Sequence, residues 1–354
     1  METHPIETHL METQMTLSPS FKIGDRQIGG DAPCFIIAEA GISHFGDFDK
    51  ALTLVDLAVE AKADAVKFQM FDVERMITAQ GQEWRDRLGP RSLKPERFRD
   101  IQAYAKEQGV MFICTAHEED SFDFLESLDV PAHKIGSGEY QNWPYLRKIA
   151  AAGKPVFFST GMYGVEDVAE ALDVMTATGN TNIAILQCTT SYPTPPEEVN
   201  LRVMELYRDR FGGVIGYSDH TAGYHIPLAA VARGAKVVEK HITLEFNIPN
   251  AQDWKVSCGP DDLAKFIAEA REIERALGLA EKTQTPAEAQ SIDWARKSLV
   301  AARPIAKGDV ITENLLISKR PGTGIAPREI TAVIGKKAAR ALDADHTLSW
   351  SDLT

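Results

Sequence analysis

From residue 34 onward, the chain alternates between two patterns of hydrophobic and polar residues. Short apolar runs rich in β-branched and aromatic residues are followed by longer stretches in which apolar residues recur at helical spacing. The apolar runs cover residues 34–41, 65–71, 110–116, 132–137, 156–161, 183–189, 214–218 and 236–242. Amphipathic helices are predicted between them, for example over residues 49–61, and a further one over residues 261–277.

A strand followed by a helix, repeated eight times, is the pattern of the α/β class and of a (β/α)8 TIM barrel. The alternative is a doubly wound open sheet, because hydrophobic periodicity does not show whether a sheet closes on itself. Residues 21–31 precede the first run and are predicted to form a hairpin at the bottom of the barrel.

The segments on either side of this repeat have different patterns of hydrophobic and polar residues. Residues 1–20 show no periodicity and are predicted to be a disordered tail. The barrel domain is predicted over residues 21–280, and the polar stretch 281–296 is predicted to be a linker. Residues 297–354 alternate short apolar runs with turn signals, which predicts a small β-rich domain. Such a domain is marginally stable alone, so we expect it to dock on the barrel or on a partner chain.

Charge and composition exclude some classes of partner. The formal net charge of −13 argues against binding to a nucleic-acid backbone or an anionic membrane surface. No apolar run reaches transmembrane length, and the first residues lack the features of a signal peptide. The four cysteines form no Cys-x-x-Cys pair, so we expect buried thiols rather than disulfides or a zinc site. We therefore expect a cytoplasmic location.

Polar and charged residues cluster at the carboxyl end of every predicted strand, where barrels of this type place their active sites. They are Glu39, Lys67, Gln69, Thr115, His117, Lys134, Ser137, Glu139, Ser159, Thr160, Thr189, Thr190, Tyr192, Ser218, Asp219, His220, Glu239, Lys240 and His241. Burying charged groups is costly unless they are paired or functional. The pattern therefore predicts a polar ligand in the mouth of the barrel.

Two lysines in this set, Lys67 and Lys134, suit a phosphate group, because they supply charge while nearby hydroxyls donate hydrogen bonds. The hydroxyls are those of Thr115, Ser137, Ser159 and Ser218. The structural alternative is that the lysines form ion pairs with Glu39 and Glu139. As a set at one rim, the residues favour a binding site.

His220 and His241 end consecutive predicted strands, so their imidazoles are expected to lie side by side. A single histidine is more often a hydrogen-bonded core residue, but an adjacent pair favours a divalent metal whose shell is completed by water or carboxylates. Glu39 is the best candidate for a carboxylate in the substrate site. Tyr192 lies in a proline-rich loop that either lines this site or serves only as a rigid turn.

Taken in order, these strand ends resemble the sialic acid (nonulosonate) synthase family. The motifs are Ile37-Ala-Glu-Ala-Gly41, Val66-Lys-Phe-Gln69, His133-Lys-Ile-Gly-Ser-Gly-Glu139, Ser159-Thr-Gly-Met162, Cys188-Thr-Thr-Ser-Tyr-Pro-Thr-Pro195, Gly216-Tyr-Ser-Asp-His220, Glu239-Lys-His241 and Lys319-Arg-Pro-Gly-Thr-Gly324. The resemblance implies a TIM barrel followed by an antifreeze-like (SAF) domain. It also implies a domain-swapped homodimer in which the SAF domain covers the partner's barrel mouth.

The implied reaction is a transfer that forms a carbon–carbon bond. Phosphoenolpyruvate condenses with an open-chain aldose, typically an N-acetylated hexosamine such as N-acetylmannosamine, to give a 3-deoxy-2-keto sugar acid and phosphate. The resemblance implies a divalent metal, most commonly Mn²⁺, with Mg²⁺ or Co²⁺ as alternatives. His220 and His241 match the metal ligands, and Glu39 matches a residue that steers the attacking water. These three residues are the predicted catalytic set.

The same resemblance assigns substrate contacts. Lys67, Thr115, Lys134, Ser137, Ser159, Thr190 and Ser218 match positions around phosphoenolpyruvate, and Glu39, Gln69, Tyr192 and Asp253 match the sugar side. Arg320 matches the SAF-domain arginine that reaches into the partner's site.

Two loops depart from the family pattern. The family commonly has Asn-His-Asn-Gly where this chain has Ser43-His-Phe-Gly46, and often has Gly-Pro-Asp-His where this chain has Ala251-Gln-Asp-Trp254. Both loops are on the sugar side, so we expect the same reaction with a different aldose, for example one that is not N-acetylated. The rival hypotheses are a non-catalytic protein that binds sugar or phosphate and, with less support, a metal-dependent aldolase.

Overall fold

The computed structural model describes residues 16–354. These residues divide into two compact units, of which the first ends at Gly278 and the second spans Leu279–Thr354. The units are described separately below. Among the described residues, no helix combines the length and the apolar character needed to cross a lipid bilayer.

The first unit is a closed barrel of eight parallel strands, which confirms the predicted (β/α)8 barrel over the open sheet. A hairpin of β1 (Ser20–Ile23) and β2 (Arg26–Gly29) precedes it, as predicted. The barrel strands are β3 (Phe35–Gly41), β4 (Ala65–Met70), β5 (Met111–Ala116), β6 (His133–Ile135), β7 (Val156–Ser159), β8 (Ile183–Cys188), β9 (Val214–Asp219) and β10 (Val237–His241). β10 pairs with β3 and closes the barrel.

Helices connect the strands and cover the outside of the barrel. They are α1 (Phe48–Glu60), α2 (Val73–Met76), α3 (Gln82–Leu88), α4 (Pro95–Gln108), α5 (Glu119–Ser127), α6 (Trp143–Ala151), α7 (Val165–Thr176), α8 (Val203–Phe211), α9 (His225–Ala232) and α10 (Pro260–Leu277). The side chain of Asp47 accepts hydrogen bonds from the amides of Asp49 and Lys50 and caps α1. The amphipathic stretches predicted over residues 49–61 and 261–277 correspond to α1 and α10.

The interior of the barrel changes from apolar to polar along each strand. In β3, Phe35 and Ile37 belong to an apolar cluster inside the barrel, whereas Ile36 and Ala38 pack with the surrounding helices. Alternate residues of a strand face opposite sides, so Glu39 continues the inward-facing series. Side chains of the hairpin join the inner cluster and close the lower end. The polar residues therefore occupy only the carboxyl end of the interior.

The predicted disordered tail over residues 1–20 lies mostly outside the described residues. Its last residues differ from the prediction. Leu17 is buried and forms a β-bridge with Gly212, and the amide of Ser18 donates to the carbonyl oxygen of Thr181. Residues 17–20 therefore belong to the barrel rather than to a tail, because Leu17 joins its apolar core.

The second unit contains a two-stranded antiparallel sheet, β11 (Ser298–Ala301) and β12 (Leu316–Lys319), and the short helices α11 (Ala289–Ala295) and α12 (Ile330–Val333). Its apolar core includes Leu299, Ile305, Ile311, Val333, Leu342 and Leu348. Part of the segment predicted to be a linker, residues 281–296, is helical in α11. Outside these two strands, Val310 makes a single antiparallel bridge to Lys337.

Candidate active site

The register of the barrel strands brings the polar strand ends to one level. His241 lies opposite Glu39, and Glu39 lies opposite Lys67. Further around the barrel, Ser218 lies opposite Glu239. Together with their neighbours, these residues line a cavity of about 150 Å³ at the carboxyl mouth. The predicted site residues in its lining are Glu39, Lys67, Gln69, Thr115, Lys134, Ser137, Ser159, Thr190, Tyr192, Ser218, His220 and His241.

Four buried charges form an ionic ring on the cavity wall: Glu39, Lys67, Glu239 and Lys134. Lys67 Nζ lies 2.9 Å from Glu39 Oε2 and 3.7 Å from Glu239 Oε2, and Lys134 Nζ lies 3.7 Å from Glu239 Oε1. The predicted alternative pairing of Lys134 with Glu139 is wrong. Glu139 instead accepts a hydrogen bond from the Asn142 side chain at 2.7 Å.

The two carboxylates of the ionic ring have opposite pKa shifts. Burial raises the pKa of Glu39 although Lys67 opposes the rise, and Glu239 adds to it. Burial alone would raise the pKa of Glu239, but Lys134 and Lys67 bring it below its ordinary value. Environments that separate the pKa values of two neighbouring carboxylates assign them different roles. Glu239 is the permanent negative charge, and Glu39 is the group suited to accept a proton.

The two lysines also differ in pKa. Burial lowers the pKa of Lys134, and Glu239 only partly offsets this effect. For Lys67, burial acts in the same direction, but Glu239 and Glu39 together raise its pKa. Burial therefore disfavours the charged form of Lys134 more than that of Lys67, and an anion bound nearby would favour the charged form of Lys134.

Hydroxyl groups and one backbone amide complete the polar wall. Lys67 Nζ donates to Thr115 Oγ1 at 3.0 Å, and Ser218 Oγ donates to Glu239 Oε1 at 3.1 Å. Ser159 Oγ is buried and has no hydrogen-bond partner among residues 16–354. A buried hydroxyl without a partner is costly, so Ser159 is poised to bond to a ligand.

Gly161 is required where β7 leaves the barrel. Its amide donates to Ser137 Oγ at 2.9 Å. A Cβ atom at this position would lie 2.3 Å from Thr190 Oγ1 and 2.7 Å from Ser137 Oγ. Glycine therefore lets this backbone approach two predicted contact residues, Ser137 and Thr190, at the cavity wall.

His220 and His241 lie next to each other, with ring centroids 5.3 Å apart. His220 Nδ1 donates to the carbonyl oxygen of Thr189 at 2.7 Å, and its Nε2 lies 2.8 Å from the Tyr192 hydroxyl, so the neutral form of His220 carries its lone pair on Nε2. His241 Nδ1 is buried and has no hydrogen-bond partner in the described part of the chain.

The histidine pair could hold a divalent metal. Two neutral imidazoles suit a first-row divalent ion. The carbonyl oxygen of Thr189 orients the His220 ring through a hydrogen bond, as groups behind the ligands commonly do in metal sites. Across the described residues, no cluster of three or more His, Cys, Asp and Glu side chains is arranged around a metal position. Water or substrate oxygens would therefore have to supply the remaining ligands.

Protonation of the two histidines differs. Burial keeps the pKa of His241 well below its ordinary value, so His241 is neutral. Burial would also lower the pKa of His220, but Cys188 and the Thr189 carbonyl raise it to about 9. A cation at His220 must therefore displace a proton.

Two predicted site residues lie outside this cavity lining. Asp253 begins a single helical turn, Asp253–Val256, in the loop that follows β10. Burial raises its pKa, and His220 and then Arg91 oppose the rise. Arg320 belongs to the second unit, where its guanidinium carbon lies 5.1 Å from the centre of the Trp294 ring. Its role at a partner's site stays a prediction.

The sequence patterns placed Glu239 among the polar strand ends but did not predict its pairing with Lys67 and Lys134. A signal for it exists, because Val237, Glu239 and His241 alternate along β10 and must share the inner face. By the same alternation Lys240 faces outward, where it is fully buried and pairs with Asp219. Lys240 and Asp219 are therefore structural, although both are strand-end polar residues.

Known proteins resemble this chain over nearly its whole length. N,N'-diacetyllegionaminic acid synthase of Campylobacter jejuni is 38% identical over 328 residues, which span 88% of this chain and 98% of that protein. Human N-acetylneuraminate-9-phosphate synthase is 36% identical over 337 residues, spanning 91% and 93% of the two chains.

A solved structure and two family models agree with these relatives. The crystal structure of the sialic acid synthetase of Leptospira borgpetersenii has a TM-score of 0.73 and 31% identity, covering 78% of this chain and 96% of that one. The SAF domain model matches residues 296–354, and the NeuB family model matches residues 54–282. With its barrel, its SAF domain and these relatives, the chain belongs to the NeuB family of sialic acid-type synthases.

Proposed function

We propose that this protein condenses phosphoenolpyruvate with the aldehyde of an open-chain aldose, consuming water and releasing phosphate, to form a 3-deoxy-2-keto sugar acid. The single observation that carries the proposal is the composition of the cavity. Two lysines, an unpartnered serine hydroxyl and a carboxylate with a raised pKa lie together at the carboxyl mouth. Such a set suits a phosphorylated anion that reacts with water.

Lys67 and Lys134 would hold the phosphoenolpyruvate, with Ser159 and the other hydroxyls as donors. The dianion would supply negative charge that favours the protonated form of Lys134 against the effect of burial. Carbon 3 of phosphoenolpyruvate then attacks the aldehyde, and the proximity of the two bound substrates provides the entropic advantage.

Glu39 would act as the base in the second half of the reaction. Water adds at carbon 2 of the resulting cation, and Glu39 accepts its proton, which matches its raised pKa. Lys67, 2.9 Å away, stabilises Glu39 before the proton arrives. The bond from carbon 2 to the phosphate oxygen then breaks, and the lysines stabilise the departing phosphate.

We also propose a divalent metal, most commonly Mn²⁺, at His220 and His241. When bound there, such an ion supplies Lewis-acid polarisation of the aldehyde oxygen. The protein's part is to hold the aldose against the histidines, where Tyr192 packs on His220 with ring centroids 4.1 Å apart.

The acceptor sugar is proposed to differ from N-acetylmannosamine. The relatives are synthases of different nonulosonic acids, so membership of the family does not fix the sugar. The Phe45 and Trp254 loops support a changed acceptor, because both replace the family's usual polar residues on the sugar side.

The test is phosphate release from phosphoenolpyruvate with a panel of aldoses and added Mn²⁺. We expect release that needs an aldose and a metal, and that falls by about a hundred-fold or more in Glu39→Gln, as is typical of losing a general base. A chain that binds the aldose but never releases phosphate would instead be the non-catalytic binding protein. A strong preference for N-acetylmannosamine would refute the changed acceptor.

We further propose that the active form is a homodimer in which Arg320 of one chain completes the site of the other. The inactive variants His241→Ala and Arg320→Ala are mixed after partial unfolding and refolding. In a mixed dimer, one site has both an intact His241 and an intact Arg320, so activity should return. No recovery in dimers verified to be mixed would contradict the exchange.

A further inference from the structure

His117 is a half-buried histidine at the barrel mouth to which the proposed reaction gives no part. It directly follows β5, and its amide donates to the carbonyl oxygen of Met70 at 3.1 Å, which ties it to the end of β4. Its ring packs edge-on against Phe71, with ring centroids 6.2 Å apart, and it lines the catalytic cavity. Both neighbours belong to the segment that carries Gln69, so His117 is held beside that residue.

Gln69 connects His117 to Glu39. Gln69 Nε2 donates to Glu39 Oε1 at 2.7 Å, and Gln69 Oε1 lies 3.4 Å from His117 Nε2. The second distance is long, as is common for catalytic contacts before a substrate binds. An ionised carboxylate has no hydrogen to donate, so the amide must turn its NH2 group toward Glu39 and its oxygen toward His117. The ring nitrogen of His117 that faces Gln69 must then be the donor.

The protonation of His117 agrees with this direction. Desolvation is the main reason that its pKa is lowered to about 4, and Lys67 and Lys134 act in the same sense. The ring is therefore neutral at neutral pH and carries a single hydrogen, which the contact with Gln69 places on Nε2. The three side chains thus form a donor series that runs from His117 through Gln69 to Glu39. A flipped amide would set its oxygen against the carboxylate, and the hydrogen on His117 Nε2 disfavours this flip.

The donor series holds one oxygen of the Glu39 carboxylate. Gln69 holds Oε1, while Lys67 Nζ lies 2.9 Å from Oε2. The backbone is shaped for this contact, because the strand register shifts between Glu39 and Gly41, where Gly41 has a φ of +52°. A Cβ atom at Gly41 would lie 3.3 Å from both Gln69 Nε2 and Glu39 Oε1. Two side chains therefore fix the plane of the carboxylate, and turning the Gln69 amide would release one side of it.

The hydrogen bonds of Gln69 also limit its use as a substrate contact. The resemblance places Gln69 on the sugar side, but its oxygen and one of its two N–H groups are engaged within the protein. One N–H is left for a ligand. Its direction is set by the same contacts with His117 and Glu39.

We propose that His117 is a positioning residue, which fixes the orientation of the Gln69 amide and through it aims the Glu39 carboxylate at the attacking water. The inference rests on the proposed function, in which Glu39 is the base. His117 acts in this scheme without touching a substrate. Two rivals are that His117 only packs against Phe71, or that it contacts a substrate independently of Gln69.

Steady-state phosphate release is measured for two replacements of His117. His117→Phe keeps a planar ring but has no N–H, whereas His117→Gln keeps an N–H at a similar distance from the backbone. We expect kcat to fall about ten-fold in His117→Phe, as is typical of losing one hydrogen bond, with the KM for phosphoenolpyruvate nearly unchanged. His117→Gln should recover most of this loss. The control His225→Phe, at an exposed position at the start of α9, should match the wild type.

A double-mutant cycle tests whether His117 acts through Gln69. Gln69→Leu removes the link, so adding His117→Phe to it should lower kcat no further, since residues that act through one another have non-additive effects. Effects on kcat that multiply overturn the proposal. So does a wild-type kcat in His117→Phe, or a His117→Gln variant as slow as His117→Phe, because the N–H would then have no part.

Nitrogen NMR of protein labelled with ¹⁵N-histidine gives an answer that does not depend on turnover. The His117 signals, assigned by their loss in His117→Phe, should show hydrogen on Nε2 at neutral pH, and Gln69→Leu should shift this Nε2 signal. Hydrogen on Nδ1, or an Nε2 signal that is insensitive to Gln69→Leu, overturns the donor series. Absence of phosphate release from the wild type with every aldose defeats the proposed function, so the two failures can be told apart.

Discussion

Replacing Glu239 by Gln removes the carboxylate that stands between two buried lysines. Lys134 then loses its carboxylate partner in the ionic ring, and Lys67 keeps only Glu39. The amide oxygen of Gln can still accept the hydrogen bond from Ser218. The substitution therefore changes charge with little change in shape.

The size of the effect follows from the distances. A pair of unit charges 3.7 Å apart attracts by about 4 kcal/mol at an effective dielectric constant of about 20, and Glu239 makes two such pairs. Part of this is offset because a buried carboxylate no longer has to lose its hydration. Breaking a buried ion pair by removing one partner typically costs about 3 kcal/mol or more. For a barrel of this size, we expect the melting temperature to fall by about 6–12 °C.

Scanning calorimetry of the wild type and Glu239→Gln, with and without phosphoenolpyruvate, measures this loss. The matched control is Glu126→Gln, since Glu126 also contacts two basic groups, Lys154 and His133, at 2.9 Å but its side chain is 30% exposed. That variant should lose about 1 kcal/mol or less. Phosphoenolpyruvate should stabilise Glu239→Gln more than the wild type, because the dianion replaces the missing charge. A melting temperature no lower than that of Glu126→Gln would refute the reasoning.

Three further outcomes are expected. Gly161→Ala should raise the KM for phosphoenolpyruvate by about a hundred-fold, because the added methyl overlaps Thr190 and displaces the cavity wall; an unchanged KM in steady-state kinetics would contradict this. His241→Ala should abolish retention of Mn²⁺ measured by electron paramagnetic resonance, whereas His117→Ala, in the same cavity lining, should retain it; equal retention would argue against the histidine pair. Asp352→Asn should cost the second unit about 2–3 kcal/mol at neutral pH. Hydrogen bonds outweigh burial and hold the pKa of Asp352 below its ordinary value of 3.8, so its contribution is present above that pH and lost as pH falls. Denaturation curves of wild type and variant should therefore converge in acid.

The barrel and the position of its site could be predicted from the sequence because both depend on local patterns. Apolar runs followed by amphipathic helices specify the strands, and polar residues at the strand ends mark the carboxyl mouth. The inward direction of Glu239 and the outward direction of Lys240 are also local, since they follow from the alternation along one strand. The position of a polar residue at a strand end does not by itself show whether its side chain enters the cavity, as in Glu239, or forms a structural ion pair, as in Lys240 and Asp219.

Other features depend on contacts between distant segments. The pairing of Lys134 with Glu239 rather than Glu139 is set by the geometry across the barrel interior, which no sequence spacing reveals. The convergence of Arg87 and Arg91 on Asn250 joins loops about 160 residues apart. Sequence patterns show such arginines only as polar residues on a surface segment.

The ionic ring has one consequence for the rate at which a substrate arrives. Its two carboxylates and two ammonium groups cancel at a distance, so the potential that an approaching anion meets is dominated by the formal net charge of −13. Attraction by the lysines is therefore expected only at short range. Added salt, which screens long-range repulsion over about 10 Å at 0.1 M, should therefore speed the association of phosphoenolpyruvate while leaving its dissociation nearly constant. If the proposed function holds, the mouth of this barrel captures its anion by short contacts and does not attract it over long distances.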